Sequence, residues 1–89
     1  MNVREEAVVR QILSNTGQRI TICRDTIAFG RKGNPCLLEK GSQVTIPGIP
    51  LQIDADRGVQ VVVIDRKNQY LAMRLPDYIR DVCTGQQGR

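Results

Sequence analysis

Histidine is absent from this 89-residue chain, and tryptophan with it. Histidine is the usual general acid–base group near neutral pH and the commonest metal ligand. Without it, the ordinary nucleophile–base triads and most zinc sites cannot be assembled. The three cysteines, Cys23, Cys36 and Cys83, contain no Cys-x-x-Cys pair, so a zinc ribbon and a thioredoxin-type redox site both lack their sulfurs. They read as small buried hydrophobes in a reducing compartment. Neither Ser14 nor Ser42, the only serines, stands in a nucleophile-elbow context. Nothing in the chain points to catalysis, a metal or a cofactor, and a non-enzymatic binding role is expected.

Aromatic residues are nearly missing as well: Phe29, Tyr70 and Tyr78 are the complete set. The core must therefore be aliphatic, with Met73 filling gaps among Val, Ile and Leu. The opening Met1 to Glu6 is charged and has no apolar leader core, and no apolar run approaches membrane-spanning length. A cytoplasmic protein with no membrane partner is the expectation. A chain this short is one domain, taken as residues 1–83 with a flexible tail at 84–89. So small an aliphatic core gives limited stability, and a homodimer would bury more surface.

What the chain does have is positive charge. Thirteen Lys and Arg stand against nine Asp and Glu, for a net charge of +4. Arginine dominates, and its planar fork suits phosphate and carboxylate alike. The balance favours a polyanion, either nucleic acid (RNA or DNA) or an acidic protein.

Along the chain, Asn2 and Glu5 have capping-box spacing, and Val8, Val9, Ile12 and Leu13 form an apolar stripe. A helix over roughly residues 3–16 follows, ended by Gly17. From Gln18 the period becomes two: Ile20 and Ile22, then Ile27 and Phe29 after a break at Arg24-Asp25. Residues 36–40 permit either one helical turn or a short strand. Pro47-Gly48 suits a type II turn between two short alternating stretches. Asp54-Ala55-Asp56-Arg57-Gly58 reads as a turn whose Asp side chains bond its own backbone, since it has too few ligands for a calcium loop. Residues 59–64 are apolar on both faces, as in an interior strand covered on each side. Asp65 to Asn68 reverses the chain into a hairpin ending at Pro76, and residues 77–83 read as a short helix.

These elements predict an α+β fold, mainly β. An N-terminal helix precedes a small antiparallel barrel or strongly bent sheet of about five strands, and a short C-terminal helix follows. The layout is similar to that of Sm-like RNA-binding rings, although no Sm sequence motif is present. Gly30-Arg31-Lys32-Gly33 resembles the G-x-x-G loop with which KH domains clamp nucleic-acid backbone. In that family the loop joins two helices, whereas here a strand precedes it. A solvated turn, an anion-contacting loop and a true KH domain are the three readings, in that order of preference.

Arg66-Lys67 forms a second cationic pair at the hairpin tip. Arg24, Lys40, Arg57 and Arg74 are scattered and would join either pair if the fold gathers them. The candidate anion-binding residues are therefore Arg31, Lys32, Arg66 and Lys67. Tyr70 shares a strand face with Ala72 and Arg74, opposite Leu71 and Met73, which makes Tyr70 and Arg74 candidate partner contacts. The expected function is nucleic-acid binding through the phosphate backbone, as a small regulator. The competing expectation is a protein-interaction module, an adaptor or inhibitor that docks an acidic partner.

Overall fold

The computed structural model describes residues 2–83; the segment expected to be a flexible tail, 84–89, lies outside the described residues. Helix α1 (Val3–Ser14) leads into β1 (Arg19–Ile22), β2 (Thr26–Phe29), β3 (Pro35–Leu38) and β4 (Gln43–Thr45). Then come β5 (Leu51–Asp54), β6 (Gly58–Ile64), β7 (Tyr70–Arg74), α2 (Leu75–Asp81) and the two-residue β8 (Val82–Cys83). The α+β class with a helix near each end is as expected. Among the described residues the strands number eight rather than about five, because segments too short to show an alternating pattern still pair.

The capping box at the start of α1 forms as its spacing predicts. Asn2 Oδ1 accepts the Glu5 N–H at 2.8 Å, and Glu5 Oε1 accepts the Asn2 N–H at 3.2 Å. The helix stops two residues short of the expected end, and Gly17 takes a left-handed φ of 84° beyond it. Only Ile12 is fully buried, with Val8 and Val9 packed at its margin. Leu13 is 52% exposed, so the apolar stripe is narrower than the sequence suggests.

All strand pairs are antiparallel, in the order β3-β2-β7-β6-β4-β1-β8, with β5 beside β6. This sheet cannot be flat. Strands β1 and β2 lie four places apart in it, roughly 19 Å at ordinary strand spacing. The chain from Ile22 to Thr26 reaches at most about 14 Å. The sheet therefore curls until its margins approach. No ladder joins β3 to β8, so the expected barrel does not close. Asp81 extends the β1–β8 margin, where its carbonyl accepts the N–H groups of Cys23 at 2.7 Å and Arg24 at 3.1 Å, and its carboxylate reaches the Thr26 hydroxyl of β2.

The concave side holds the core, which is aliphatic apart from Tyr78. In β1 and β2 the inward residues are Ile20, Ile22, Thr26 and Ala28, all even-numbered. The same parity thus holds on either side of the exposed Arg24-Asp25 break, and Ile27 points outward at 42% exposure. Reading Ile27 and Phe29 as the inward pair followed residue size rather than parity.

Segment 36–40, open between helix and strand, belongs to β3 at its start. Gly48 is not among the glycines with positive φ, so the chain bends at Pro47–Pro50 without the type II turn expected there. Helix α2 carries Pro76 in its first turn and buries Leu75 and Tyr78. It ends at Asp81, earlier than expected, because Val82 and Cys83 pair with Ile22 and Thr21 of β1.

That pairing corrects the reading of the cysteines as three free thiols. Cys23 and Cys83 form a disulfide, with Cα atoms 5.3 Å apart, and only Cys36 is free. Their separation of 60 residues hid the match, since spacing alone does not reveal which cysteines become neighbours. Among the described residues, no helix is long and apolar enough to cross a membrane.

Candidate functional site

The two cationic pairs sit in turns of the same construction. In the β2–β3 turn, the Gly33 N–H donates to the Gly30 carbonyl at 2.9 Å, and the Gly30 N–H donates to that of Asn34 at 2.9 Å. In the β6–β7 turn, the Asn68 N–H donates to the Asp65 carbonyl at 3.0 Å, and the Asp65 N–H to that of Gln69 at 3.0 Å. Each turn places Arg then Lys at its two central positions and ends on a left-handed residue, Gly33 at φ 81° or Asn68 at φ 64°. Both Arg–Lys pairs are exposed. Because this loop joins two strands, it is not the helix-joining G-x-x-G of a KH domain.

The register sets these turns side by side. Phe29 pairs with Ala72 between antiparallel β2 and β7, so the chain leaving β2 runs beside the start of β7. Arg31 and Lys32 share a cleft with Asn68 and Tyr70, and Asn68 also borders the neighbouring cleft, which contains Arg66 and Arg19. The four candidate cations therefore gather at one end of the sheet. Among the described residues, Arg19, Arg31, Lys32, Arg66 and Lys67 make no ion pair. Asp65, the nearest acid in the turn, has Oδ1 occupied by the N–H groups of Lys67 at 2.8 Å and Gln69 at 2.9 Å.

Behind the turns lies the convex face of the sheet. Its cross-strand pairs make three rows. The first runs Arg19–Thr45–Ile64–Tyr70, and the second runs Val62–Ala72–Phe29–Pro35. The third contains Gln52, Gln60 and Arg74. Val62 and Ile64 are only half-buried, so β6 is not covered on both sides as its composition suggested. Tyr70 is 59% exposed, as its alternation predicts. Arg74 faces the same way, but its Nε lies 3.6 Å from the Asp77 carboxylate and is partly committed to it.

Arg19 and Gln60 of this face lie outside the residues expected from sequence, and Arg57 is one of the scattered cations expected to join the site only if the fold gathers them. Arg19 was passed over as one polar residue in an alternating strand. Arg57 lies with its guanidinium 4.8 Å from the Phe29 ring centroid, a cation–π contact between segments far apart in sequence. Gln60 is 2% exposed, its Oε1 accepts from Gln52 Nε2 at 3.0 Å, and its own Nε2 has no acceptor among the described residues. An orphaned buried donor of this kind costs roughly 1–3 kcal/mol. The one available signal was a lone amide in an otherwise apolar, β-branched run.

Asp54, Asp77 and Asp81 are structurally engaged. Asp54 Oδ1 accepts the N–H groups of Asp56 at 2.7 Å and Arg57 at 3.0 Å, the self-bonded turn expected from sequence. Those bonds hold its carboxyl below the usual range. Asp81, 2% exposed, accepts from Arg80 Nε at 2.9 Å and Nη2 at 2.8 Å, and this forked contact lowers its pKa. Burial pushes the Tyr78 hydroxyl up to about 12. Among the described residues, no three His, Cys, Asp or Glu side chains group as metal ligands would. Comparison with protein-family models, curated proteins and solved structures found no match to this chain.

Proposed function

We propose that this protein is a non-enzymatic binder of single-stranded nucleic acid, a small regulator that holds the phosphate backbone with Arg31, Lys32, Arg66 and Lys67. The observation that carries the reading is the pair of equivalent turns, adjacent through β2–β7, each presenting an unpaired Arg–Lys. A regularly charged backbone suits two such pairs set side by side. The adjoining convex face supports an unpaired strand rather than a duplex. Phe29 and Tyr70 offer rings for base stacking, and Arg57 and Arg74 stand beside Phe29.

Fluorescence anisotropy against single-stranded RNA and DNA over a range of salt tests this directly. Four phosphate contacts give a log K against log salt slope of roughly −3 for single strands. Replacing Arg31 and Arg66 by Gln should weaken binding and make the slope shallower by about 0.7 for each cation removed. Micromolar protein that leaves both strands free at low salt would refute the proposal.

A second reading has its own support: Ile27, Leu37 and Ile49 are exposed on or beside the same face. An acidic protein partner would cover them and pair with the surrounding arginines. Binding that persists at high salt, where nucleic acid is released, would favour that partner. The expected cytoplasmic setting stands against the Cys23–Cys83 disulfide, which favours an oxidising compartment. It requires Cys23 and Cys83 to be reduced in the cell, which alkylation trapping reads out. Association into a homodimer would double the cations offered to a polyanion, and sedimentation at two concentrations would detect it.

A further inference from the structure

We infer that the Gln60 cleft is a base-recognition pocket, in which Gln60 Nε2 donates to an acceptor on the edge of one nucleobase while Phe29 supplies a stacking surface. The inference rests on the nucleic-acid reading above and adds to it a site that contacts the base.

Gln60 is the reason to look here. Its Nε2 is buried without an acceptor, although its Oε1 is satisfied by Gln52. Buried amides in folded proteins are nearly always paired, so a native one left with an open donor calls for an acceptor from outside. Gln60 contributes to the wall of a cleft of about 280 Å³ that also includes Phe29, Arg31, Asp54 and Arg57. That volume is at the small end for ligand sites, suited to one flat ring rather than a larger molecule.

The other groups match the parts of a nucleotide. The Arg57 guanidinium lies over the Phe29 ring, and the stacked pair together offers a planar surface of the kind on which bases stack. Asp54 is held ionised by two backbone N–H groups and can only accept, which suits the N–H that every base presents beside an acceptor. Arg31 borders both this cleft and the cleft of the twin turns. A strand whose phosphate meets Arg31 thus has a base within reach of Gln60. Gln52, exposed and joined to Gln60 by a single hydrogen bond, can yield as a ring enters.

The test compares a short single-stranded RNA with its abasic counterpart, on wild type, Gln60→Met and Phe29→Leu, by anisotropy at low salt. Wild type should bind the intact strand on the order of tenfold more tightly than the abasic one. Both variants should shrink that preference while leaving affinity for the abasic strand unchanged. The thermal midpoint of Gln60→Met should hold or rise, since an orphaned donor has been removed. Equal binding of the two strands by wild type would overturn the pocket and leave the backbone reading standing. Undiminished preference in both variants would also overturn it. A variant that loses both strands and melts early would mark Gln60 as structural only. Failure of wild type to bind either strand would remove the parent proposal and this one together.

Discussion

Asp81 shows how much a single side chain can organise in a domain of this size. Its carboxylate receives the Arg80 fork, and its carbonyl receives the chain as it crosses from β1 toward β2. Because Arg80 holds the folded pKa below the unfolded one, the folded state binds fewer protons between the two values. The associated stability is present above the unfolded value near pH 4 and is lost as pH falls through the folded value. Wild type should therefore lose thermal stability in acid, and Asp81→Asn should show a flatter acid limb with a lower midpoint at pH 7. Arg80→Met at neutral pH leaves the buried carboxylate short of donors and should lower the midpoint of urea unfolding. None of this was legible from residues 80 and 81, which read simply as one more charged pair on a short helix. Burial made the difference, and burial depended on where β1 and β2 came to lie.

At the scale of elements, the twin turns are the informative unit. Each needs a residue that accepts positive φ at its last position, which glycine supplies in one and asparagine in the other. Gly33→Asn should therefore be tolerated within a few tenths of a kcal/mol, because the same geometry already accommodates Asn68. Gly33→Val should cost about 1–2 kcal/mol, since a β-branched residue resists the left-handed region. Denaturant midpoints of the two variants would check the difference, and equal midpoints would show that the turn does not require that φ. Local chemistry made both turns readable in advance, as it did the capping box and the self-bonded Asp54 loop. It failed where parity outranked side-chain size, as at Ile27, and where strands of two to four residues carried too few positions to show a period.

For the whole molecule, the Cys23–Cys83 bond fastens the last described strand to β1 at one margin of the open sheet. Closing a loop of 60 residues stabilises by roughly 4 kcal/mol in the chain-entropy account. Reduction should then lower the melting temperature by roughly 15–30 °C, a shift visible by circular dichroism. An unchanged midpoint after thiol counting confirms full reduction would contradict that role. The radius of gyration of 11.9 Å, against roughly 12 Å expected for this length, shows that the curled sheet reaches ordinary compactness without ladder closure.

Sequence alone determined what depends on near neighbours: the mainly β composition, the capped first helix, the turn chemistry, the aliphatic core and the Arg–Lys pairs, because caps, turns and periodicity act over a few residues. Only the tertiary structure decided which turns became adjacent, which cysteines met, which face of β6 stayed uncovered and which amide was buried with its donor left open. Those outcomes follow from strand order and curl, which bring together residues that the chain keeps far apart.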